Sequence, residues 1–258
     1  EEEVAFLQPF IEVGDAGDLL EVGKVHEALC ERTGRRIHRS VTYKLLHRHD
    51  WRKIVPRARH PKADQEAQAS FKKLAGIVEQ ADERADASGR SLRIFFQDEA
   101  RFGRINDPRG YWARAGVRPV VGKQIVREYT YAYGAFCPRD GASAHLVLPA
   151  MDGACMTFFL RHVRQEFPND FILMVYDGAP CHSPGALEVP DHMMLLTLPP
   201  YSPELNPSEN IWNDLREKFF GNTVFDSMDA VTDRLCIAMN HYVDHPEIVR
   251  SITAFPWI

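Results

Sequence analysis

Two short apolar runs constrain this chain most, and each leads into an acid. LRIFF at residues 92–96 leads into Gln97, Asp98 and Glu99, and FILMVY at residues 171–176 leads into Asp177 and Gly178. A strand with one wet face alternates apolar and polar residues. A short unbroken apolar run instead implies a strand covered on both faces, which needs layers of helix above and below a sheet. Around these runs, residues 125–136, 143–149 and 193–198 read as further strands, with a turn at Arg139, Asp140 and Gly141. Residues 155–166, 207–220 and 227–243 read as amphipathic helices. The order strand, strands, helix, strand, helix predicts a mixed α/β layer fold. Acids that follow central strands of such a sheet lie where sites usually form. Each also has a local reading: Asp177-Gly178 is an ordinary turn pair, and Asp98 suits a solvated strand end.

A third acid stands in a different setting. Residues 198–212 read LPPYSPELNPSENIW, four prolines followed by the start of a helix. Asn206 suits the N-cap and Pro207 the first helical position, where its missing N–H costs nothing. Glu209 then falls three residues after the cap, where a carboxylate can reach back to the cap's N–H. Glu209 is therefore either a capping group or an acid held at a fixed point by a rigid helix start.

The N-terminal quarter is divided by charge. Residues 1–27 hold eight acids and one lysine, whereas residues 35–62 hold ten Arg and Lys against Asp50 alone. A basic block inside a chain of net charge −5 points to a local polyanion contact. Residues 22–33 have helical spacing and end at Gly34, and Ser40 can cap a second helix over 41–50. A helix pair with a tight polar turn suggests helix-turn-helix. In the second helix Val41 and Leu45 form an apolar back, and Ser40, Lys44, His47 and Arg48 form a front suited to the major groove. Arg36, Arg39 and Arg52 flank it as further DNA contacts. Residues 56–61 read as a linker, and 64–87 as one charged helix ended by Gly89.

Composition excludes some classes. No apolar run approaches the ~20 residues that span a bilayer, so no membrane partner is expected. Five scattered cysteines without a CxxC pair predict reduced thiols and no zinc cage. No secretion leader is evident, and a cytoplasmic, nucleoid-associated location is expected. Three carboxylates on three rigid elements raise each other's pKa unless a cation joins them. A hard divalent ion such as Mg²⁺ takes oxygen ligands of this kind. His182, close to Asp177, is read as a group behind the ligands, as a substrate contact or as a surface histidine.

The segments QDEARFG (97–103), GYWARAGVRPVV (110–121), YDGAPCHS (176–183) and LPPYSPELNPSENIW together resemble bacterial mariner-like insertion-sequence transposases. That family belongs to the DDE superfamily, with a catalytic domain like those of ribonuclease H and retroviral integrase. The resemblance covers about residues 91–245, and residues 22–62, including RSVTYKLLHRHDWRK, resemble the family's second helix-turn-helix. It implies a ribonuclease H-like mixed sheet flanked by helices, preceded by a small all-α, winged-helix-like DNA-binding domain. The expected division is 1–62 for DNA binding, 63–90 for a linker helix and 91–258 for catalysis. A further helix-turn-helix is expected upstream, so 1–62 is read as N-terminally truncated.

The resemblance also assigns Asp98, Asp177 and Glu209 as catalytic acids and metal ligands. Two Mg²⁺ ions are implied, with Mn²⁺ able to substitute. The implied partners are double-stranded DNA, as transposon ends and target, and a second copy of the chain on that DNA. Gly178 departs from the family, where Asn is more usual. The implied activity is cleavage and strand transfer at terminal inverted repeats. Two alternatives remain at this stage: a transposase-derived DNA-binding protein without catalysis, and a metal-dependent nuclease on the same fold.

Overall fold

The computed structural model describes residues 2–16, 20–53, 61–73, 75–106, 108–114, 116–178 and 187–255. Arg57, Arg59 and most of the expected linker lie outside them, as does His182. The chain divides into two compact units, residues 1–58 and 59–258.

The first unit is helical among its described residues. Helices α1 (Glu2–Asp15), α2 (Val22–Thr33) and α3 (Arg39–Arg48) enclose a small core of Leu7, Val25, Leu45 and Leu46, edged by Phe6, Phe10 and Trp51. The sequence reading missed α1, because its acids masked the apolar positions that Leu7, Phe10 and Ile11 contribute. The bounds of α2 match the expectation, and Gly34 ends it in the left-handed region at φ 63°, where glycine carries no Cβ penalty. Helix α3 starts two residues earlier than expected. Its cap is His38, whose Nδ1 accepts from the Ser40 N–H at 3.3 Å, so Ser40 is the capped residue and not the cap. The apolar back also differs. Thr42, Leu45 and Leu46 are buried, while Val41 is 46% exposed. Starting the helix at residue 39 turns Thr42 inward, where its hydroxyl meets His26 Nδ1 at 2.8 Å.

The second unit is a five-stranded sheet in the order β3-β2-β1-β4-β5. Its strands are β1 (Ser91–Ile105), β2 (Ile125–Phe136), β3 (Ser143–Leu148), β4 (Asp170–Tyr176) and β5 (Met193–Thr197). Strands β1, β2 and β3 pair antiparallel, whereas β4 pairs parallel with both β1 and β5. The unbroken run of β4 is buried on both faces, as its sequence required. Ile172, Met174 and Tyr176 meet α6 (Gly153–Glu166), whose start is capped by Asp152 Oδ1 at 2.8 Å from the Cys155 N–H. Phe171 and Leu173 face the other way, onto Ala81 and Ala85 of α5 (Ala75–Ala87).

The expected single helix over 64–87 is two. Helix α4 (Gln65–Phe71), capped by Asp64, ends before α5 begins. On the α5 face lie also α7 (Ser208–Leu215), which runs on into a π-helical turn at Arg216–Phe220, and α8 (Met228–Asp244). A last helix, α9 (Pro246–Thr253), was not expected. Trp212, Phe102, Phe136, Leu235 and Tyr242 fill the core between α7, α8 and the sheet.

Candidate active site

Asp98 does not sit past a strand end. Strand β1 continues through it to Ile105, held by β2, which pairs Asp98 with Gly134. What ends near Asp98 is the other neighbour. The last parallel pair between β1 and β4 is Phe96 with Val175, and Asp177 lies just beyond β4. Extending that register by two residues sets Asp98 opposite Asp177. Neighbouring strands are about 4.8 Å apart, so the two backbones are close. The apolar run therefore located the edge of the parallel half of the sheet, and two acids flank that edge on adjacent strands.

Glu209 is brought to the same place by the proline-rich segment. Asn206 Nδ2 donates to the Gln97 carbonyl at 3.0 Å and Ser208 Oγ to the Phe96 carbonyl at 3.0 Å, both buried. These two bonds pin the start of α7 onto β1 immediately before Asp98. Asn206 Oδ1 accepts from the Ser208 N–H at 3.2 Å, which is the capping contact the sequence predicts, although the regular helix is counted from Ser208. The reciprocal half of a capping box is missing. The Asn206 N–H goes to the Pro203 carbonyl at 2.9 Å, so it does not need Glu209. The Glu209 carboxylate is left to face the cavity.

That cavity, of about 420 Å³, is lined by Asp98, Asp177, Gly178, Asn206 and Glu209 together with the proline-rich loop. The loop is itself braced from α4. Gln68 Nε2 donates to Ser202 Oγ and to Glu204 Oε1, each at 2.8 Å, and Gln68 is buried. Sequence reasoning passed over Gln68 because a glutamine in a charged helix carries no signal of burial. It also passed over the purpose of Trp212. The indole N–H donates to Asp98 Oδ2 at 3.0 Å inside the core. Trp212 is three residues after Glu209, one turn along the same face of α7. One helix thus presents an acid to the cavity and a donor to the acid beside it.

The electrostatics are those of crowded negative charge. Burial first, then the charges of Glu209, Glu99 and Asp177, push Asp98 well above the usual carboxylate range. Burial also raises Glu209; Arg216 opposes that shift and Asp177 adds to it. Among the described residues no trio of His, Cys, Asp or Glu stands close enough to form a metal cage. The three carboxylates share a cavity without converging on one point. As a donor set they are all oxygen and mutually repulsive, which suits a hard divalent cation.

The expected DNA-contact residues Arg36, Arg39, Ser40, Lys44, His47, Arg48 and Arg52 are all exposed. Three are engaged within the first unit. The Ser40 hydroxyl meets His38 Nδ1 at 2.8 Å, Arg48 pairs with Glu3 at 2.6 Å, and the Arg52 guanidinium donates to the carbonyls of His47 and Trp51.

Residues 93–232, more than half of the chain, match the family of DDE superfamily endonucleases, and residues 16–74 match the winged helix-turn helix family. The Sinorhizobium fredii protein y4pE/y4sA is 37% identical over 130 residues, which cover 50% of this chain and 96% of that protein. Among solved structures, the mariner Mos1 paired end complex with Mg superposes with a TM-score of 0.62 at 14% identity, over 98% of this chain and 77% of that one. The Mos1 mariner paired end complex with Mn gives 0.61 at 17% identity, over 96% and 76%. At these identities the likeness is one of fold. The chain belongs to the DDE superfamily of endonucleases, with a winged helix-turn-helix region ahead of the catalytic unit and the fold of a mariner transposase.

Proposed function

We propose that this protein is the DNA transposase of an insertion sequence. In this reading the basic face of α3 binds the terminal inverted repeats, and the cavity between β1, β4 and α7 cuts DNA strands and transfers them. The observation that carries the reading is the placement of Asp98, Asp177 and Glu209 along one cavity on three separately braced elements. Structural braces alone do not account for that placement, since the capping bond that would explain Glu209 locally is absent.

Asp98, Asp177 and Glu209 would hold two divalent ions, Mg²⁺ with Mn²⁺ as substitute. They would supply Lewis-acid activation of an attacking water or DNA 3′-hydroxyl and charge neutralisation at the phosphate and the leaving oxygen. The chain's own residues do the positioning. Trp212 keeps Asp98 oriented, Asn206 and Ser208 hold Glu209 over the end of β4, and Gln68 steadies the loop that walls the cavity. Mos1 has been captured in paired end complexes with Mn and with Mg. For this chain we propose a pair of copies, each holding one transposon end, acting in the cytoplasm on the nucleoid. No helix among the described residues is long and apolar enough to cross a membrane.

The test is a nicking assay on a duplex carrying the element's own end, with Mg²⁺, Mn²⁺ or a chelator. Cleavage that needs the cation and stops at the end of the element supports the reading. Binding without cleavage in either metal refutes the catalytic half and leaves a DNA-binding protein.

A further inference from the structure

The acid-rich start of the chain supplies one carboxylate to the very face proposed to meet DNA. Glu3, in the first turn of α1, accepts from Arg48 Nη2 at 2.6 Å with one oxygen and stands 3.0 Å from His49 Nε2 with the other. Arg48 is the last residue of α3 and belongs to its basic front. Packing sets the contact. Leu7, one turn after Glu3 on the same face of α1, is fully buried in a core shared with Leu45 and Leu46 of α3. Burying Leu7 therefore carries Glu3 to the end of α3. Lys44, one turn before Arg48, is exposed and has no acidic partner among the described residues. Along one face of α3 the charge is thus free at Lys44 and offset at Arg48.

The side chains of Arg48 and Glu3 remain 60% and 49% exposed. An exposed ion pair adds little to stability, so stability gives small reason for an acid at this point. On a DNA-binding face the same acid has a larger effect. A phosphate that approaches Arg48 must compete with Glu3 for the guanidinium and meets the Glu3 carboxylate as a like charge. A base edge carries no net charge and meets no such opposition. A guanidinium has five N–H donors, of which Glu3 engages one group. Arg48 keeps donors for a base edge while its charge is withdrawn from the DNA backbone. Non-specific binding is almost wholly a matter of phosphate charge. Specificity is a difference between two affinities, and a repulsive element aimed at the wrong partner raises it.

We propose that Glu3 is a specificity-determining residue of the helix-turn-helix, which holds Arg48 for base edges and withholds its charge from the phosphates of unrelated DNA. The inference rests on the proposed binding of terminal repeats by α3, and it gives a role to the acidic segment that precedes the basic block.

The test compares binding isotherms on the element's own end and on a scrambled duplex over a range of salt. The variants are Glu3→Gln, Glu3→Gln with Arg48→Ala, Glu12→Gln and Lys44→Ala, all at exposed positions. Glu3→Gln frees Arg48 for one more phosphate, so on the scrambled duplex the slope of log affinity against log salt should steepen by about 0.9. Affinity for that duplex should rise, and the ratio of specific to scrambled affinity should fall roughly two- to fivefold, the range an exposed ion pair spans. Adding Arg48→Ala should remove the gain on the scrambled duplex. Glu12→Gln makes the same change in net charge elsewhere on α1 and should leave both duplexes as in the parent. A parent-like slope and ratio in Glu3→Gln overturns the proposal, and so does a loss of affinity for both duplexes. Equal gains in Glu3→Gln and Glu12→Gln overturn it in favour of net charge, and a gain that survives Arg48→Ala shows that Arg48 is not the cation released. If Lys44→Ala binds both duplexes as the parent does, the reading of α3 as the DNA-binding helix fails, and the role of Glu3 fails with it.

Discussion

Replacing Trp212 with Phe tests how Asp98 is held. The indole is 1% exposed and packs against Phe102 and Phe136, with ring centroids 6.2 and 5.5 Å away. It fits because residue 134 is glycine: a Cβ there would stand 2.7 Å from Trp212 Cη2. The substitution keeps an aromatic ring but removes the N–H that donates to Asp98 Oδ2. Deleting a donor to a buried charged acceptor costs about 1.5–3 kcal/mol. The smaller ring leaves a gap of ~40 Å³, which adds roughly 1 kcal/mol at ~24 cal/mol per Å³. The expected destabilisation is about 2.5–4 kcal/mol, or a fall in melting temperature of roughly 5–16 °C for a unit of this size.

Packing loss alone could produce part of that fall, so a second readout is needed. The indole bond stabilises the ionised form of Asp98, and its removal pushes the pKa further up. The acidic limb of the pH–rate profile for cleavage should therefore move to higher pH in Trp212→Phe, and Leu235→Ala, a core change away from the acid, should leave that limb in place. Calorimetry and single-turnover cleavage between mildly acidic and neutral pH measure both. A melting temperature within a degree or two of the parent, together with an unmoved acidic limb, would show that the indole does not hold Asp98.

Three further outcomes are expected. Asp177→Asn should abolish strand cleavage while DNA affinity stays the same, because it removes a ligand charge and none of the basic surface; cleavage near the parent rate at equal Mg²⁺ would remove Asp177 from the site. Glu209→Gln should leave the melting temperature nearly unchanged, since Glu209 makes no capping bond, yet lose most activity; an active variant would return Glu209 to a structural role. The third outcome is a pH dependence set by Asp98, whose folded pKa is raised by burial and by its acidic neighbours. At pH values between its unfolded and folded pKa, the folded chain keeps a proton that the unfolded chain has released, so without divalent cation stability falls as pH rises through that window. Mg²⁺ at neutral pH should restore it, and Asp98→Asn should remove that part of the slope; identical pH–stability curves for the parent and Asp98→Asn without metal would contradict the raised pKa.

Local sequence carried much of the architecture. The short apolar runs at 92–96 and 171–176 pointed to buried strands, and Gly34 and Asn206 marked helix ends by chemistry that acts within a few residues. The resemblance carried by QDEARFG, YDGAPCHS and the proline-rich segment pointed to all three acids. Tertiary structure alone decided what those residues do for one another. That β1 and β4 are parallel neighbours, which sets Asp98 against Asp177, depends on pairing between segments about eighty residues apart, and no local pattern encodes a partner strand. The same holds for Gln68 on Ser202 and for Trp212 on Asp98, each assembled from residues distant in the chain. Helix α1 and the inward turn of Thr42 belong here too, because burial of a mixed-polarity segment is settled by the surface it meets. Caps, turns and apolar periods are written in neighbouring residues because their energies arise between neighbouring residues. Register, buried polar bonds and the crowding of like charges arise between segments, and they exist only once the chain has closed on itself.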